Sequence, residues 1–226
     1  MGKRIVVVGA GAIGGIAGGH LTRAGHDVTL IDPWPEHVET MREHGLHLSG
    51  MTPEETHVVK VNAIHLTEVQ QFCKQRPVDI AFICVKSYDT EWATHLIKPY
   101  LAPDGFCVSL QNCINEERIA AIVGWGKTMG CIASLVAAEL YAPGKIKRTV
   151  PLGGDKHTVF RVGEPRIRVQ QTIRAGRHIT AANLVCDACA ERLRGERIVG
   201  VHGVRAQMTV PLREIQILAT FNHVVP

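Results

Sequence analysis

Ile5-Val6-Val7-Val8 runs without a break into Gly9-Ala10-Gly11-Ala12-Ile13-Gly14, and residues 13–24 then carry helical character. Four β-branched residues followed by G-x-G-x-x-G and a helix give the strand, turn and helix order in which that glycine spacing has a mechanism. Gly9 permits a tight turn, Gly11 lets backbone approach a pyrophosphate with no Cβ between them, and Gly14 lets the helix lie close to the strand. The unpaired N–H groups and partial positive charge of the helix start then favour an anion without a basic side chain. The spacing alone would also fit an ordinary glycine-rich turn; its place between strand and helix predicts a dinucleotide fold.

The next segments extend that fold. Residues 26–32 read as a second short strand ending in Asp32, eighteen residues beyond Gly14. A carboxylate there is placed to accept hydrogen bonds from adenosine ribose hydroxyls and to repel a 2′-phosphate, which favours NAD over NADP. Alternatively, Asp32 caps the turn into Pro33-Trp34-Pro35 and the helix at 36–44. Residues 46–49 and 57–62 alternate like small strands, antiparallel to one another, and 67–74 read as a helix. Residues 77–86 form a continuous apolar run ending at Lys86, the pattern of a central parallel strand covered on both faces. A helix at 91–101 leads to another such strand at 105–110, ending at Gln111-Asn112, and a helix at 115–123 follows. Segments 130–140, 145–151 and 157–162 read as strands finishing the sheet. The fold class is thus α/β, a Rossmann-type, mostly parallel sheet with helices on both faces.

In open parallel sheets ligands bind outside the carboxyl ends of the strands. The glycine turn, Asp32, Lys86 and Asn112 each follow the carboxyl end of a strand. Together they set a phosphate cradle, a ribose acceptor, a cation and an amide along one edge. Lys86 could equally be a solvated strand-end charge, and Asn112 a cap.

Composition narrows the alternatives. No run of eighteen apolar residues occurs and strand begins by Ile5, so neither a membrane span nor a secretory signal is expected, and the expected location is cytoplasmic. Seven cysteines are scattered, with Cys84, Cys107 and Cys131 in apolar runs, as reduced core thiols are. Cys186 and Cys189 form a C-x-x-C with no second pair at zinc spacing, so no metal site is expected. Residues 1–140 hold 11 basic and 15 acidic side chains, net −4, whereas 141–226 hold 14 and 6, net +8. No aromatic interleaving accompanies that surplus; it reads as solvated surface, and no nucleic-acid partner is expected.

Gly9-Ala10-Gly11-Ala12-Ile13-Gly14-Gly15, Val85-Lys86-Ser87-Tyr88-Asp89-Thr90, Leu110-Gln111-Asn112, Pro143-Gly144 and Val162-Gly163-Glu164-Pro165 resemble, in order, the motifs of the ketopantoate reductase (2-dehydropantoate 2-reductase) family. The resemblance covers residues 1 to about 165. It implies a Rossmann domain followed by a helical domain, with a nicotinamide dinucleotide reducing a small-molecule 2-keto acid, 2-dehydropantoate to pantoate, in the cleft between them. It further implies that Lys86 and Asn112 sit near the nicotinamide and substrate, serving both cofactor and catalysis, while the turn Gly9, Ala10, Gly11, Ala12, Ile13 and Gly14, together with Asp32, is read from its own positions as the rest of the cofactor site. On that basis a Rossmann domain at 1–180 is followed by a helical remnant at 181–226.

Three departures from the family stand out. Cys113 replaces the glycine that usually follows Leu-Gln-Asn, which forces a less comfortable turn or a shifted loop. The NADP preference that the resemblance implies conflicts with Asp32. The resemblance also implies a proton-donating lysine on a helix of the second domain, yet no lysine follows Lys156, while ten arginines lie from Arg161 to Arg213. Arginine does not give up a proton near neutrality. A frame-shifted or truncated gene end would leave such a pattern, and so would a dinucleotide-binding module with little or no activity. A cleft left uncovered would offer a surface for a homodimer.

Overall fold

The computed structural model describes residues 2–133, 136–151 and 160–163. The boundary expected at 180, the helical segment beyond it, the Cys186/Cys189 pair and Glu164-Pro165 therefore lie outside the described residues.

The chain begins with β1 (Arg4–Val8), α1 (Ala12–Arg23), β2 (Asp27–Asp32) and α2 (Pro35–His44). Two short strands follow, β3 (Leu46–Ser49) and β4 (His57–Val59), then β5 (Asn62–His65), a 3-10 helix at Leu66–Lys74, and β6 (Val78–Ile83). Next come α3 (Thr90–Ile97), β7 (Leu101–Ser109), α4 (Glu116–Val123) and β8 (Thr128–Ala133). The described chain closes with β9 (Ala138–Ala142), β10 (Lys145–Arg148) and β11 (Phe160–Gly163).

The main sheet has the order β11-β8-β7-β6-β1-β2-β5. Its pairs are parallel from β5 through to β8, and β11 runs antiparallel to β8. The alternation of the strands explains both cores. Ile5, Val7, Leu30, Ile80 and Phe82 face one side, against Ile16, Ala17 and Leu21 of α1. Val6, Val8, Ile31, Ala81 and Ile83 face the other, against Ala93 and Ile97 of α3 and Ile119 of α4. Every residue of β1 is buried, as a strand covered on both faces requires.

The late strands divide. β8 and β11 extend the main sheet as expected, but β9 and β10 form a second sheet with β3 and β4, in the order β4-β3-β10-β9. In it β3 pairs antiparallel with β4 and parallel with β10. This layer covers α1. A Cβ on Gly15 would overlap Ile146 of β10, and one on Gly18 would overlap Leu30 of β2, so the small face of α1 is what lets both layers close on it.

Two further readings are corrected. The segment read as a single strand at 57–62 is broken: β4 belongs to the second sheet, whereas Asn62 opens β5, which pairs parallel with β2. The helix read at 91–101 ends at Ile97 and tightens into a 3-10 turn at Lys98–Tyr100, where Pro99 has no N–H with which to continue it.

Candidate active site

Three main-chain bonds align the carboxyl ends of the central strands. Gly9 N donates to Ile31 O at 2.8 Å, Cys84 N to Val8 O at 2.8 Å, and Leu110 N to Ile83 O at 3.0 Å. The loops after β7, β6, β1 and β2 consequently leave the sheet side by side. Asn112, Lys86 and the glycine turn on the first three of these loops, and Asp32 as the last residue of β2, follow in that spatial order.

The three motif glycines answer to different constraints. Gly9 has φ +94°, a left-handed conformation, and a Cβ there would sit 2.9 Å from Val85 N. At Gly14 a Cβ would overlap the carbonyl oxygen of Gly9 and lie 2.9 Å from Cys84 Cβ. Gly11 has φ −63° and ψ −162°, extended backbone open to any residue, and a Cβ there would meet nothing within 4 Å. The fold thus requires glycine at 9 and 14 but not at 11, where the bare backbone leaves space over the helix start. Among the described residues no side chain caps α1, and no acid stands in its first turn; the first rung of its ladder is the Gly15 N–H to Gly11 O bond at 2.7 Å, which leaves the N–H groups before it open. A helix start left in this state fits a phosphate group.

Asp32 is buried and both its carboxylate oxygens are engaged. Oδ2 accepts from Ala10 N at 2.9 Å and Oδ1 from Trp34 N at 3.0 Å. It therefore ties the glycine turn to the end of β2 and caps the following turn. Each oxygen keeps a further lone pair for a ribose hydroxyl.

Lys86 and Asn112 are both exposed, and neither side chain has a hydrogen-bond partner among the described residues. Their loops are stitched together beneath them. Ser87 Oγ donates to Asn112 O at 3.1 Å and Asn115 Nδ2 to the same oxygen at 2.9 Å. Gln111 Nε2 donates to Val85 O at 2.7 Å and to Thr90 Oγ1 at 2.9 Å, while Arg118 donates to Ser87 O at 2.9 Å. Cys113 adopts φ +70°, so the turn without its glycine is kept at the cost of strain. Below it, burial raises the carboxyl of Glu116 above its usual range. Burial likewise raises the Cys84 and Cys131 thiols, which are packed as core groups rather than poised as nucleophiles.

The sequence reading missed His37 and Asn115. Asn115 was findable, since an asparagine just before a helix is a natural cap, although here it caps a loop carbonyl. His37 gave only a weak signal, sharing the buried face of α2 with Val38 and Met41.

The family model described as ketopantoate reductase PanE/ApbA matches residues 5–164. A 2-dehydropantoate 2-reductase of Pyrococcus horikoshii is 34% identical over 145 residues, covering 64% of this chain and 44% of that protein. A PanE/ApbA family ketopantoate reductase of Ralstonia eutropha JMP134 superposes with a TM-score of 0.57 at 32% identity, over 65% of this chain and 46% of the other. A D-mandelate dehydrogenase solved with NADH and anilino(oxo)acetate gives 0.56 at 28%, over 65% and 45%. The chain spans less than half the length of each. A match that takes in the glycine turn, the Lys86 loop and the Asn112 loop together places this chain in the ketopantoate reductase family.

Proposed function

We propose that the chain contributes the dinucleotide half of an NAD(P)H-dependent 2-keto acid reductase, with 2-dehydropantoate as its substrate. The observation that carries this reading is the open helix start at Gly11, set beside two exposed polar side chains at the ends of neighbouring strands. A nicotinamide dinucleotide, when bound, supplies the hydride. The N–H groups from Gly11 to Gly14 hold its pyrophosphate, and Asp32 accepts from a ribose hydroxyl. Hydride arrival at a ketone leaves negative charge on oxygen, so the site must offer hydrogen-bond donors there. Lys86 Nζ and Asn112 Nδ2 are those donors, carried on loops that the Ser87, Gln111 and Asn115 bonds hold together. The carboxylate at Asp32 favours NADH over NADPH, in keeping with the NADH named for the D-mandelate dehydrogenase neighbour.

A second reading rests on the absence of lysine after Lys156: a module that binds dinucleotide and turns over slowly or not at all. Titration with NADH and NADPH, followed by a 2-dehydropantoate turnover assay, separates the two. The reductase reading predicts tighter binding of NADH and oxidation of it by the keto acid. It further predicts a kcat lowered roughly 10²- to 10³-fold in Lys86→Met, with the dinucleotide Kd changed little. Binding without oxidation would leave the module.

A further inference from the structure

His37 lies on α2, fully buried, and the reaction proposed above makes no use of it. Both of its ring nitrogens are nonetheless committed. Gly144 N donates to Nδ1 at 2.8 Å, so Nδ1 is the bare nitrogen; Nε2 then carries the proton and donates to Ala10 O at 3.0 Å. Ala10 belongs to the glycine turn, and its own N–H is held by Asp32. The residue is therefore fixed by side chains at both its amide and its carbonyl, immediately before the N–H groups that would face a phosphate. Gly144, with φ +68°, sits in the turn between β9 and β10 of the second sheet, 107 residues along the chain from the ring it bonds. Trp34 stacks on the imidazole, with ring centroids 5.7 Å apart.

From this geometry we infer that His37 is a positioning residue for the dinucleotide turn: it sets the Ala10 carbonyl and couples the turn to Gly144 in the second sheet. The inference rests on the dinucleotide reading of the previous subsection. A rigid turn presents its N–H groups already aligned, so ordering is not subtracted from binding. Coupling is reciprocal, so a ligand that stiffens the turn must also stiffen the bond at Gly144.

The test compares wild type, His37→Leu and His37→Gln by fluorescence titration with NADH, well below each melting temperature. Leucine removes both ring bonds. Glutamine can donate to one carbonyl and accept from one amide. The expected result is binding weakened about fivefold to tenfold in His37→Leu and largely restored in His37→Gln, the loss of one or two net hydrogen bonds. Equal affinity in a folded His37→Leu overturns the inference and leaves the dinucleotide reading standing. Failure of wild type to bind NADH or NADPH sinks both. Should His37→Leu not fold, wild type alone decides by NMR. The ring must be the Nε2–H tautomer, and exchange of the Gly144 amide must slow several-fold on adding NADH. The other tautomer, or a Gly144 amide indifferent to NADH, overturns the coupling.

Discussion

Gly14 and Cys113 should respond in opposite directions to a change of side chain. A methyl at Gly14 has nowhere to go between the Gly9 carbonyl and Cys84, so Gly14→Ala should cost about 2 to 3 kcal/mol in urea unfolding. Cys113 holds φ +70° on an exposed loop, so Cys113→Gly should stabilise by about 1 kcal/mol. An unchanged midpoint in either variant would contradict the backbone described here. What the sequence discloses at this scale is chemistry, not wiring. Cys113 was visible as trouble because it occupies a glycine position, and Asp32 was visible as an acid at a strand end. That Asp32 grips Ala10, and that His37 grips the same residue from the other side, depends on side chains 22 and 27 positions away, and no local pattern records it.

At the scale of elements, the parallel strands were legible because burial on both faces leaves an uninterrupted apolar run, as at Ile80-Ala81-Phe82-Ile83 of β6. The second sheet was not. β9 and β10 alternate like any hairpin, and their membership is decided by β3, whose Leu48 pairs with the sequence-distant Ile146. The break between β4 and β5 was hidden for the same reason: alternation continues through residues 57–62 although the two parts pair with different sheets. The layer over α1 has a measurable consequence. His20 of α1 is buried there, and burial, aided by Arg23, His57 and Arg148, pulls its pKa from 6.5 down to about 4. The unfolded chain takes up this proton near 6.5 and the folded one only near 4, so the fold is fully favoured above pH 6.5 and loses stability as pH falls towards 4. The loss should approach about 3 kcal/mol at most. Urea midpoints at pH 7.5 and 4.5 should differ clearly in wild type and much less in His20→Leu; an equal difference in both would mean that His20 is not the group responsible.

Across the whole molecule, the strand order puts every candidate group on one edge of one sheet, since β7, β6, β1 and β2 lie side by side and run the same way. That convergence was readable from the sequence because each group follows the carboxyl end of a strand. The helical segment expected beyond residue 180 lies outside the described residues, and the Pyrococcus horikoshii relative is more than twice as long as the part matched here. Among the described residues no helix is long and apolar enough to cross a membrane. The proposed function therefore turns on whether bare backbone at the start of α1 receives a dinucleotide, and calorimetric titration of NADH into wild type and Gly11→Val tests this most directly. The extended backbone of Gly11 accepts a side chain, and among the described residues nothing lies within 4 Å of a Cβ there, so Gly11→Val should keep its melting temperature within a few degrees. The prediction is that wild type binds NADH and the folded variant binds at least tenfold more weakly; equal binding by both, or none by wild type, would contradict it.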